Sequence, residues 1–88
     1  MDQVFISVCG IDVARGVTVI ESEEALTFRA MIRQAKKTIV VADSSKLGAV
    51  APALVCPISD VHILITDTGV SEKTMAAFAE RGVEVRRV

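Results

Sequence analysis

The chain has no tryptophan, no tyrosine and a single histidine, so its core has to be built largely from alanine, valine and isoleucine. An excess of basic charge is also missing: the formal net charge of the 88 residues is −1. Nucleic-acid-binding surfaces are normally strongly basic, and nothing here supports one. No CxxC and no other metal-ligand spacing occurs. The two cysteines, Cys9 and Cys56, lie among apolar residues and read as reduced, buried thiols of a cytosolic protein. No apolar run approaches the roughly 18 residues that a membrane span needs. Asp2 and Gln3 follow Met1 where a secretory leader would be basic, so no signal peptide is expected. With His62 the lone histidine, and placed in a strand, Cys9 has no base to act as a nucleophile. His62 in turn has no visible acid partner and is expected to be structural.

What is present is a chain that is 51% apolar and long enough for one domain. A domain of this size buries about 60–65% of its unfolded surface, which leaves a thin stability margin. So apolar a composition in so small a chain implies surface covered by something else, a partner subunit or a missing segment. The chain starts and ends inside strands, as if cut from something longer.

Val4 to Cys9 is a continuous apolar run stopped by Gly10, and is expected to be a strand buried on both faces. Gly10 to Thr18 reads as a loop turning at Gly16, with Val17 to Ile20 a short extended piece. Ser22 to Lys37 reads as a helix, with Ser22 as N-cap and Glu23 and Glu24 at its positive end. Ala25, Phe28, Met31, Ile32 and Ala35 form its apolar stripe. Arg29, Arg33 and Lys36 share a face that reads as solvated. Thr38 to Ala42 is a second buried strand. Ser44 to Pro52 is a loop with room for one helical turn, and Leu54 to Cys56, between two prolines, a short edge strand. Val61 to Thr66 is the next buried strand.

Ser71 to Arg81 reads as a second helix, capped by Ser71, with Val70 packing on Met75 as a staple and Gly82 ending it. Met75, Phe78 and Ala79 are expected to face inward. In the last strand, Val83 to Val88, the residues Val83, Val85 and Val88 point in and Glu84 and Arg86 out. Strands alternating with helices predict an α/β fold with a mainly parallel sheet, flanking helices and right-handed crossovers.

In such a sheet ligands bind at the carboxyl ends of the strands. Asp43, Ser44, Ser45, Lys46 and Gly48 follow the second buried strand directly. Loop amides and serine hydroxyls can donate to an anion, Lys46 supplies charge, and Asp43 can accept from sugar hydroxyls. The same residues also fit a capped turn with Lys46 in solvent. Gly10 and Asp12 follow the first strand. Gly10 would admit a close ligand and Asp12 could bind hydroxyls, although a plain turn also accounts for them. Asp67 reads as a turn cap.

Several phrases fall into one pattern: Val8-Cys9-Gly10-Ile11-Asp12, Gly16-Val17-Thr18, Glu24-Ala25, Arg29-Ala30-Met31, Ala42-Asp43-Ser44-Ser45-Lys46-Leu47-Gly48, Ile65-Thr66-Asp67 and Gly82-Val83-Glu84-Val85. In this order they resemble the carboxyl-terminal part of DeoR-type transcriptional repressors. The resemblance implies half of an effector domain of the ribose-5-phosphate isomerase and CoA-transferase type. Such a domain senses a phosphorylated sugar or related metabolite, in a cytoplasmic bacterial regulator of sugar catabolism that assembles as a homo-oligomer. DNA would be bound only through an amino-terminal winged helix-turn-helix that this chain lacks. No cofactor is implied. By position, Gly10 and Asp12 would line the pocket floor, and Asp43, Ser45 and Lys46 would face the ligand. Leu26 and Phe28 stand where family members often carry an acid and a lysine, so a phosphate-holding lysine is lost if that residue has the role. Two alternatives stay open: a fragment of a sugar-phosphate isomerase-like enzyme, and a fragment that only self-associates.

Overall fold

The computed structural model describes residues 2–88. Seven strands and two helices follow one another: β1 (Gln3–Ser7), β2 (Gly10–Asp12), β3 (Gly16–Val19), α1 (Ser22–Gln34), β4 (Lys37–Val41), β5 (Ala53–Cys56), β6 (Ile63–Thr66), α2 (Glu72–Glu80) and β7 (Glu84–Arg87). Two 3₁₀ turns, Ser44–Lys46 and Ile58–Asp60, interrupt the connections. The main sheet is fully parallel, in the order β1-β4-β6-β7. A smaller antiparallel sheet, β2-β3-β5, lies in the connections. The α/β class and the mainly parallel sheet agree with the expectation.

Strand order rises along the chain, so every right-handed crossover falls on the same face of the main sheet. That face carries Val4, Ile6, Val40 and Leu64, which form one core with Val17 and Val19 of the small sheet, Ala25 of α1 and Phe78 of α2. Leu64, Val40, Val17 and Val19 are fully buried.

Several expectations need correction. β1 is not buried on both faces: it is an edge strand in which exposed and buried residues alternate, and Phe5 is 57% exposed. Gly10–Asp12 is a strand where a loop was expected, because its apolar residue Ile11 is claimed by the small sheet. α1 begins after Glu21, so Ser22 is its first residue and not its cap, and no side chain caps that end. It also stops at Gln34, because Lys37 already belongs to β4. Ala79 is exposed while Met75 is partly and Phe78 fully buried, since only one narrow stripe of the short α2 meets the sheet. Val88 is 80% exposed, as it lies past the end of β7. Cys9 is only half-buried; Cys56 is buried, and both thiols are free. Burial, with a smaller push from Asp60, raises the Cys56 thiol to about 12, so it stays protonated and unreactive at neutral pH.

Three polar contacts fasten the frame. Ser71 caps α2 as expected, its Oγ accepting from Thr74 N at 3.1 Å. His62 Nδ1 accepts from Thr38 N at 2.9 Å, which assigns its proton to Nε2 and gives it a structural role at the start of β6. Arg29 does not merely face solvent: its guanidinium donates to the carbonyls of Leu54 and Val55, binding α1 to the open edge of β5.

Leu64 is central and has no exposed surface. Leu64→Ala is expected to cost about 2–5 kcal/mol, a large share of a small domain's stability. Ala79→Ser on the exposed side of α2 should stay within about 0.5 kcal/mol. Urea unfolding midpoints of the two variants check this.

Candidate functional site

Parallel pairing brings the carboxyl ends of β1, β4 and β6 to one edge, with Ser7 beside Val41 and Val41 beside Ile65. The segments that follow are then stitched together. Ile11 bridges Leu47, and Gly48 N donates to Ile11 O at 2.8 Å. Ala42 N donates to Ile65 O at 3.0 Å. Gly10 and Lys46 therefore belong to adjoining segments at the same end of the sheet, as the expected ligand rim requires.

The acids of this rim are engaged by its own loops. Asp12 Oδ2 accepts from Ala14 N at 2.9 Å and Arg15 N at 2.8 Å, closing the β2–β3 turn. Asp43 Oδ1 accepts from Ser45 N at 3.0 Å and from the Ser45 hydroxyl, capping the 3₁₀ turn. Asp67 spans two loops: Oδ2 accepts from Ser44 N at 2.9 Å and Oδ1 from Gly69 N at 2.7 Å. These backbone donations, from Ser44 first and Gly69 second, hold the Asp67 carboxyl below its usual range. A Cβ on Gly69 would lie 2.7 Å from Ser44 Oγ, so a larger residue there would push the Ser44 and Asp67 side chains aside. The turn-cap reading of Asp67 is correct, and its reach to Ser44 was not foreseen. Beneath it, the Thr66 hydroxyl is buried with no hydrogen-bond partner among the described residues.

Gly10 has a different part from the one expected. A Cβ there would sit 2.3 Å from Ala49 O. The space beside it is taken by the chain itself, so packing already accounts for the glycine.

Two shallow depressions adjoin on the rim and share Leu47 and Thr74. One, of about 280 Å³, is lined by Ser44, Ser45, Gly69, Val70 and Ser71, at the amino end of α2. The other, of about 240 Å³, lies between Asp12, Val13, Gly48 and the side of α2 at Lys73, Ala77 and Phe78. Of the six expected residues, Asp12, Ser44 and Ser45 thus line a depression, whereas Gly10, Asp43 and Lys46 line neither. Sequence reasoning missed Ser71, Lys73 and Thr74. Their signal was the N-cap itself: the helix that follows β6 must start at this same edge.

The arrangement defines a class of protein: an α/β domain whose strand-end loops form a hydroxyl-lined rim. Among the described residues, no three His, Cys, Asp or Glu side chains come together to hold a metal. No described helix is long and apolar enough to cross a membrane.

The model of the DeoR C-terminal sensor domain matches residues 1–68, and the chain belongs to that family. It is 37% identical over 71 residues to an uncharacterized HTH-type transcriptional regulator of Haemophilus influenzae, covering 81% of this chain and 28% of that protein. It is 33% identical over 88 residues to the HTH-type regulator YulB of Bacillus subtilis, covering 100% of this chain and 34% of YulB. To the HTH-type transcriptional repressor GlcR of the same organism it is 33% identical over 85 residues, covering 97% of this chain and 33% of GlcR. The chain thus spans about a third of the length of these relatives. All three are named as HTH-type transcriptional regulators or repressors.

Asp67 should make this edge acid-sensitive. Its folded pKa is lowered, so its contribution is present above the ordinary aspartate range and is lost as pH falls through the folded value. Asp67→Asn replaces one acceptor with a donor that faces Ser44 N or Gly69 N. Urea titrations from pH 7 to pH 2 should find the variant less stable at pH 7 and with a shallower acid limb than the parent.

Proposed function

We propose that the chain is the carboxyl-terminal effector-sensing part of a sugar-responsive repressor, binding a phosphorylated sugar or a related anionic metabolite at this rim without catalysis. The observation that carries the reading is the depression at the start of α2. Ser44, Ser45, Ser71 and Thr74 bring four hydroxyls to it. Ser71 takes up Thr74 N and Met75 N, while the amides of Glu72 and Lys73 have no partner among the described residues. Open amides at a helix start favour an anion. Lys73 lines the adjoining depression and Lys46 ends the 3₁₀ turn that carries Ser44 and Ser45, neither of them in an ion pair among the described residues. Membership of a sensor family and relatives named as repressors support the same reading.

Signalling would be a population shift. Ligand at the rim favours one arrangement of subunits in a cytoplasmic homo-oligomer, and an amino-terminal DNA-binding domain in the complete regulator feels the change.

Isothermal calorimetry with ribose 5-phosphate and glucose 6-phosphate tests this, with the unphosphorylated sugars as references. Saturable binding of at least one phosphosugar in preference to its sugar is expected. Lys46→Ala should weaken it about tenfold or more, as loss of a charged hydrogen bond implies. Equal affinity in that variant removes Lys46 from the site, and no binding of either phosphosugar at millimolar concentration overturns the reading.

A further inference from the structure

The depression at the side of α2 is bounded by three pieces of chain. Its floor, Leu47 and Gly48, is joined to β2 by the Ile11–Leu47 bridge and by the bond from Gly48 N to Ile11 O. Asp12 and Val13, where β2 runs into the β2–β3 turn, form one side. That turn is stiff within itself, because Asp12 pairs with Gly16 and Asp12 Oδ2 accepts from both Ala14 N and Arg15 N. Lys73, Ala77 and Phe78 of α2 form the other side. Floor and turn are thus one backbone unit, while α2 is seated separately, through Phe78 in the core. Among the described residues a single hydrogen bond joins the turn to α2. It comes from Arg81, which caps the carboxyl end of α2 and whose Nη1 donates to Val13 O at 3.2 Å, across 68 positions of sequence.

We infer that Arg81 is a positioning residue of the rim: by bridging α2 to Val13 it fixes the width of this depression, and so sets how large a sugar body can lie beside an anion held at the start of α2. The inference rests on the phosphosugar reading of the rim. Three observations carry it. Distance comes first. At about 1.5 Å a residue, Arg81 lies roughly 15 Å along the helix from the Ser71 cap, so it does not reach an anion at the amino end. Placement comes second. Arg81 follows Ala77 by four positions and Phe78 by three, so all three share one side of α2, and the bridge closes the depression just past the two apolar residues. The bond itself comes third. A cation at a helix carboxyl end is favourable without any partner, so the helix accounts for the charge of Arg81 but not for its reach to Val13. Val13 O accepts from nothing else among the described residues. At about 240 Å³ the depression is smaller than the roughly 300–1,000 Å³ of sites for drug-sized ligands, so a small change of width alters what fits.

The test is calorimetry of the 88-residue chain, Arg81→Ala and Arg81→Lys with ribose 5-phosphate, glucose 6-phosphate and inorganic phosphate. The parent should separate the two phosphosugars by about tenfold, the effect of one carbon unit in a fitted pocket. Arg81→Ala should bring them to within about twofold while leaving the affinity for inorganic phosphate unchanged. Arg81→Lys, which can still donate to Val13 O, should recover most of the preference. The side chain is exposed, so both variants should keep the parent's urea midpoint. Methyl relaxation of Val13 reads the bridge without any ligand: its methyls should become more mobile in Arg81→Ala, and those of Val83, in the core, should not. If the parent binds neither phosphosugar, the reading of the rim fails and the role of Arg81 in selection fails with it. If both bind and their affinity ratio is the same in Arg81→Ala, the rim stands and this inference alone is overturned. An equal loss of affinity for both sugars and for inorganic phosphate would make Arg81 a source of charge only, and also overturns it. So does unchanged motion of Val13 in Arg81→Ala.

Discussion

Four parallel strands in rising order, with one core packed on one face, constrain the rest of the molecule. The crossovers share a face, so the core formed by Ile6, Val40, Leu64 and Phe78 lies on that side alone. The strands also share a polarity, so the segments after β1, β4 and β6 must converge at one edge. The rim is thus a product of topology before any polar residue is placed on it. The same constraint leaves Phe5 and Val41 exposed on the reverse face, and the apolar excess of the composition is partly this uncovered surface.

Topology was legible in the sequence because it rests on strong local signals. The β-branched run of β4, the Ser71 cap and the Gly82 stop of α2 each have a short-range cause, and each is present. Errors arose where tertiary context decides. Val4 to Cys9 reads as continuously apolar, but Phe5 and Ser7 turn away from the core that Val4, Ile6 and Val8 enter, because no described element covers that face of the sheet. Three-residue β2 has no pattern of its own and exists only through β3 and the Ile11–Leu47 bridge. Arg29 looked like one of several solvated cations; its role depends on two carbonyls some 25 positions away. The candidate site was half legible. Its chain segment was evident from an acid, two serines and a lysine after a buried strand. The contribution of α2 was not, since it depends on where a helix begins in space.

The rim's chemistry separates scaffold from recognition. Asp12, Asp43 and Asp67 each accept from amides of their own or a neighbouring loop, Asp67 through both oxygens but Asp12 through Oδ2 alone and Asp43 through Oδ1 alone. Removing one of them disturbs a turn before it disturbs a ligand. The hydroxyls are also engaged, Ser45 donating to Asp43 and Ser71 to Thr74, so the donors left open are the amides at the start of α2 and the ammonium group of Lys73. In the proposed reading, the open amides at the start of α2 and the charge of Lys73 would favour an acceptor-rich ligand, and a phosphate is the richest acceptor a sugar metabolite carries. In that reading, selection among sugars would fall to the adjoining depression at Asp12, Val13, Ala77 and Phe78.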